Sequence, residues 1–173
     1  MLQVKRDKIN IYLDTNIIYG FFKLNSQKLK KGEELKETRL IKSLRDGLKY
    51  FNYFVSKAVE IEIKRRLVSE FNLRRNEANY LWNILVTNLK IAEVEDHTVD
   101  WNFILTIVES VKIKKRISNL IHLSIARDNQ LLFLTGDLEI LSKCKKFYKD
   151  IISYKDFVKL LYTLKRKNKV WEK

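Results

Sequence analysis

The chain contains no proline, four glycines and a single cysteine in 173 residues. So little of either backbone punctuator leaves small room for long linkers. The lone Cys144 cannot form an internal disulfide, which fits a reducing cytosol. No run approaches the roughly 18 apolar residues of a membrane span, and the opening MLQVKRDK lacks an apolar signal core. The expectation is a soluble cytoplasmic protein with no membrane association. Acidic residues are also in short supply: 21 Asp and Glu face 35 Lys and Arg, for a net charge of +14 and a pI near 9.8. That balance favours a polyanionic partner, nucleic acid before acidic membrane. The competing reading is a lysine-rich solvated surface.

What is present is apolar content of 46% with 32% charge, a globular rather than disordered balance. The length suits one domain over residues 1–173 with a sizeable core, ending in a basic tail at 164–173. No repeat or low-complexity tract interrupts it. Five short apolar segments read as strands: Ile9–Leu13, Phe51–Val55, Leu89–Val94, Leu131–Leu134 and Asp150–Ser153. Helical patterns lie between them, including Ile17–Leu24 and Glu33–Tyr50, the latter with Leu40, Leu44 and Leu48 four residues apart. The connection Ser56–Asn88 has room for two helices with a break at Asn72, and His97–Gln130 for two with a break near Ile117-Ser118. The tail extends the last helix. Alternating strands and helices imply parallel pairing with right-handed crossovers, hence a three-layer α/β/α sandwich.

In a parallel sheet every strand ends at one edge, and each following helix starts there. Four polar positions obey that rule. Asp14 ends the first strand in INIYLDTN, and Asp137 follows the fourth in LLFLTGD. Glu62 lies in the early turns after the second strand, and Asn119 in the first turn of the helix before the fourth. Oxygen donors gathered at such an edge suit Mg²⁺ or Mn²⁺. Each also has a plainer reading. Asp14 and Asp137 stand where helices begin, and Asp is a favoured N-cap. Glu62 complements a helix dipole, and the helical wheel does not separate it from Glu60. Asn119 shares a face with His122, Leu123 and Ala126, so two polar groups occupy a core-facing stripe and need partners. His122 reads as a hydrogen-bonded core histidine, since oxygen-ligated metals do not seek imidazole. Asn16 and Thr135 are near enough to orient the two aspartates, Ser56 reads as a cap, and Cys144 as packing.

Strand-LDTN, then VSKAVEIE, then SNLIHLSIA, then FLTGD resembles the PIN domain, best known from VapC-type toxins and other RNA-cleaving nucleases. The resemblance spans about Ile9 to Tyr154 and is specific through order and spacing. It implies a five-stranded parallel sheet ordered 3-2-1-4-5, with Asp14 and Asp137 flanking the switch point. It selects Glu62, six residues after the serine, over Glu60. The family's third acid precedes His in Asp-x-x-His, and here that position is Asn119, a departure that removes a charge.

The activity implied is metal-dependent hydrolysis of RNA to 5′-phosphate and 3′-hydroxyl ends. Asp14 and Asp137 would be the central Mg²⁺ or Mn²⁺ ligands, with Glu62 and Asn119 orienting bound waters. Lys112, Lys114, Lys115 and Arg116 are candidate RNA phosphate contacts, with Lys64, Arg65 and Arg66 a second set. Tyr50, Tyr53 and Trp101 are candidate base-stacking residues or core. By the same resemblance the partners are RNA, an antitoxin protein and a second copy of the chain, with Phe21-Phe22 and Glu33–Tyr50 as a partner groove or core. Two alternatives stay open: a PIN domain that binds RNA or protein without cleaving, and a housekeeping RNA-processing nuclease. A receiver-like domain using Asp14 as phosphate acceptor lacks the acidic pair such domains carry at the first strand's end.

Overall fold

A computed structural model describes residues 7–94, 99–111 and 117–171, with backbone alone for 168–171. Ile9–Leu13 forms β1 at the centre of a five-stranded sheet ordered β3-β2-β1-β4-β5. The partners are β2 (Phe51–Ser56) and β4 (Leu132–Leu134), then β3 (Ala92–Val94) and β5 (Ile151–Ile152) outside them. Every pairing is parallel; Ile11 lies beside Tyr53 on one flank and Leu132 on the other. Ile11, Tyr12 and Leu13 are all inaccessible to solvent, as expected of a strand covered on both faces. The order 3-2-1-4-5 inferred from the resemblance is the order observed.

The helices flank this sheet. In chain order they are α1 (Thr15–Lys30), α2 (Arg39–Asp46), α3 (Lys57–Phe71), α4 (Arg75–Leu89), α5 (Trp101–Ser110), α6 (Ile117–Asp128), α7 (Leu138–Lys143) and α8 (Tyr154–Trp171). α1 to α4 pack on one another, while α6 contacts α5 and β4. The tail does continue the last helix, as far as Trp171.

Several boundaries differ from the sequence reading, each for a local reason. The helix expected over Glu33–Tyr50 is only Arg39–Asp46. Upstream, the buried Asn25 side chain clamps the backbone of Lys36, giving a hydrogen bond to its carbonyl at 2.9 Å and accepting its N–H at 2.8 Å. Thr38 then caps α2 by accepting from the Ile41 N–H. Downstream, a Cβ on Gly47 would lie 2.6 Å from the Tyr53 hydroxyl, which bonds the Leu44 carbonyl, so the chain turns there and Leu48 falls outside the helix. The break at Asn72 is real: Asn72 takes the left-handed conformation, with φ 49°, that asparagine tolerates. β3 starts later than Leu89 because α4 runs through Leu89 and ends at Lys90 in the same left-handed form. The second break, expected near Ile117-Ser118, falls between Ser110, the end of α5, and Ile117, the first residue of α6.

Candidate active site at the carboxyl edge of the sheet

β1 and β4 are neighbours whose following chains leave in different directions, so the crevice between their ends is the switch point of the sheet. The ladder continues past both strands, the Asp14 N–H bonding the Leu134 carbonyl at 3.1 Å. Asp14 is thereby set beside Thr135-Gly136-Asp137. The Thr135 hydroxyl joins the two acids: it donates to Asp14 Oδ2 at 2.5 Å and accepts the Asp137 N–H at 3.0 Å. Asn16 locks the arrangement, donating to Asp14 Oδ2 at 2.6 Å and to Thr135 Oγ1 at 3.2 Å while accepting the Gly136 N–H at 2.7 Å. Gly136 leaves room for this contact: a Cβ would stand 3.1 Å from Asn16 Oδ1, the atom that accepts this N–H, and would press on the Asn16 side chain.

The two aspartates differ in what they satisfy. Asp137 does cap its helix, accepting from the Glu139 N–H at 2.9 Å and the Ile140 N–H at 3.4 Å. Its other oxygen accepts from Asn119 Nδ2 at 2.6 Å. Asp14 occupies the N-cap position of α1 yet makes no side-chain cap bond. Its carboxyl is only 1% exposed, and that burial pushes its pKa above the ordinary value against the opposing pull of His122 and Thr135.

Glu62 and Glu60, which the helical wheel left equivalent, have separate surroundings. Glu60 pairs with Lys57 and Lys64. Glu62 accepts from the Thr15 hydroxyl at 2.9 Å and from Arg66 at 2.7 Å, and lies 3.4 Å from His122 Nε2. The hydrogen bond with His122 leads in holding its carboxyl down to about 2, outweighing partial burial. His122 is a buried, hydrogen-bonded histidine as expected; its Nδ1 meets the Tyr12 hydroxyl at 3.1 Å, and that hydroxyl donates to Ser56 Oγ at 2.7 Å. Ser56 therefore does not cap α3 through its side chain, being committed to Tyr12. Thr15 and Tyr12 were not singled out by the sequence. The available signal for Tyr12 was a phenol between the apolar, buried Ile11 and Leu13, a position where its hydroxyl must find partners.

The proposed nucleic-acid contacts divide. Lys112, Lys114, Lys115 and Arg116 lie outside the described residues. Lys64 and Arg66 are engaged with Glu60 and Glu62, whereas Arg65 is exposed and makes no ion pair among the described residues. Of the stacking candidates, Tyr53 is core and Tyr50 half-buried, leaving Trp101 exposed at 56%. Phe21 and Phe22 are core, Phe22 stacking on Trp82 at 5.9 Å, and do not form a groove. Cys144 is buried and its thiol is pushed up to about 11 by that burial, consistent with packing. No helix among the described residues is long and apolar enough to cross a membrane.

Whether these residues suit a divalent ion depends on the donors they offer. Among the described residues no three His, Cys, Asp or Glu side chains converge to enclose one by themselves. A Mg²⁺-type ion asks for less: one or two carboxylates, with waters and substrate phosphate completing the octahedron. Asp14 and Asp137 offer two carboxylates of that type, and a cation beside Asp14 would offset the burial cost it carries. Asn119 fits less well, since it turns its amide N–H to Asp137.

No model of a known protein family matches the chain, and no curated protein matches its sequence. Its fold is similar to that of a chain in the crystal structure of VapBC2 from Rickettsia felis bound to a DNA fragment from their promoter. The TM-score is 0.57 at 11% identity, over 84% of this chain and 97% of that one. The likeness, with the parallel order 3-2-1-4-5, assigns the chain an α/β fold shared with that complex.

Proposed function

We propose that this chain is a metal-dependent endoribonuclease and the toxin of a toxin–antitoxin pair. The observation that carries the reading is the single Thr135 hydroxyl bonded to both the Asp14 carboxylate and the Asp137 backbone at the switch point of the sheet. The fold shared with a chain of the VapBC2 complex supports it, as does the order of LDTN, Glu62, NLIH and TGD along the sequence. The charge of +14 suits a polyanionic substrate. The VapBC2 likeness also supports an antitoxin partner, and the family resemblance a homodimer.

Asp14 and Asp137 would hold Mg²⁺ or Mn²⁺, which when bound supplies the charge to activate water and stabilise the phosphate being displaced. Asn16 and Thr135 fix the Asp14 rotamer, so that its carboxylate is aimed before substrate arrives. Glu62, kept ionised by Thr15, Arg66 and His122, is available to orient water. Arg65 stands ready for a phosphate.

One contact favours a second reading, a binding module without cleavage. The Asn119 N–H donated to Asp137 Oδ2 occupies the acid with a neutral donor where the PIN family has a carboxylate. Incubation of single-stranded RNA with Mn²⁺ and either the protein or Asp14→Ala separates the two. Product from the parent protein alone supports the nuclease. Equal product from both overturns it, and RNA retained uncut by both supports the binding module.

A further inference from the structure

Beside the carboxylates a pocket of about 510 Å³ opens between the first turns of α3 and α6. α3 lines it with Ile61, Glu62 and Arg65, and α6 with Ser118, Ile121 and His122. Its size is in the range of small-ligand sites. Three features narrow the occupant. Ile61 is 59% exposed although its helix already buries Val59, Ile63 and Leu67 on another face, so nothing in the core accounts for it. With Ile121 it gives the pocket branched apolar walls suited to a flat ring. In the run Lys64-Arg65-Arg66 the outer two are paired, and Arg65, which makes no ion pair among the described residues, is the one at the pocket. A guanidinium both binds phosphate and stacks on planar rings. Finally, Glu62 lines the pocket and accepts from Thr15, the residue after Asp14, so the pocket adjoins the Asp14 side of the site.

We infer that this pocket receives one unstacked base of single-stranded RNA, held between Ile61 and Ile121, with Arg65 on its sugar–phosphate or ring. Such bases are what proteins read in single-stranded RNA. The inference rests on the nuclease reading and adds to it a source of substrate choice, since phosphate contacts alone carry none. A second protein surface is a poorer occupant. It would need a broad apolar patch, whereas Glu62, Arg65, Ser118 and His122 put polar groups among the pocket's few apolar side chains.

Fluorescence anisotropy in EDTA tests it, with a labelled octaribonucleotide of mixed sequence beside the same backbone made abasic. The parent protein should bind the base-bearing strand about tenfold tighter, the effect of burying one ring face. Ile61→Ser, a change at an exposed position with folding checked by thermal melt, should erase that difference and leave abasic binding unchanged. Arg65→Gln should weaken both. Equal affinity for the two strands, or a difference that survives Ile61→Ser, overturns the pocket. So does a dimer in sedimentation that Ile61→Ser dissolves while the two strands bind alike. Cleavage with Mn²⁺ is scored separately: base-dependent binding without cleavage leaves the pocket standing and removes the nuclease, and cleavage with equal affinities does the reverse.

Discussion

Asp14 and Asp137 follow adjacent parallel strands, precede helices and are buried to nearly the same extent, yet they are held in opposite ways. Asp137 returns structural value for its burial: it caps α7 and takes an amide from Asn119. Asp14 caps nothing. Its carboxylate accepts from the Thr135 hydroxyl across the sheet and from the Asn16 side-chain amide, and burial leaves it held above the ordinary range. The lesson is that position in the fold does not tell which of two aspartates caps its helix; the bonds made do. A buried acid that breaks the local rule without structural return is where function is best sought.

The comparison breaks most visibly at Asp14. Asp14→Asn should reduce RNA cleavage by about a hundredfold or more, since the charge a held metal contributes is worth several kcal/mol. The same substitution should raise the metal-free Tm, by about 2–4 °C for each kcal/mol of buried charge relieved. Loss of activity together with loss of stability would mean Asp14 is structural. Next in size is Asn119→Asp. Exchanging the donor at 2.6 Å from Asp137 for a second carboxylate should cost about 1–3 kcal/mol without metal. Mn²⁺ at a hundred times its Kd should restore about 2.7 kcal/mol. At that same Mn²⁺ concentration, a thermal shift no larger than the parent's would show that position 119 does not reach the ion.

Asp137 offers a smaller, sharper contrast. Asp137→Ala should lose about 1 kcal/mol with its cap, whereas Asp137→Asn should keep most of the cap, both read by urea melts. If the two lose equally, the cap is not what holds Asp137. The smallest effects are in pH. Glu62, held near 2 against an ordinary 4.5, adds stability that is full above the latter value and is lost as pH falls toward the former. Asp14, held above 3.8, acts with the opposite sign: it favours the fold while protonated, and stability declines as pH rises through its raised value. Glu62→Gln should therefore flatten the acid limb of a stability–pH profile and Asp14→Asn the decline that follows it. Unchanged slopes would contradict both assignments.

Much of the fold was legible because β1 is short, apolar and abruptly polar at Asp14, and because Asn72 marks a helix break by its own chemistry. What was not legible depended on long-range partners. The clamp of Asn25 on Lys36 shortened α2, and no periodicity announces it. Ser56 had the residue type and place of a cap, but a hydroxyl from a neighbouring strand claimed it first. At the site, Asp14, Asp137, Glu62 and Asn119 were reachable from the rule that strand ends share an edge. That rule does not tell Glu60 from Glu62, and the residue separating them, Thr15, looks in sequence like an ordinary first-turn threonine.

The most direct test is a calorimetric titration of Mn²⁺ into the metal-free protein, beside Asp14→Asn and Asp137→Asn. A shared ion predicts saturable binding that each substitution weakens by about tenfold or more, with the double variant little worse than either alone. Binding that survives both substitutions, or no binding by a folded parent protein, would contradict the claim that these strand ends hold a metal together.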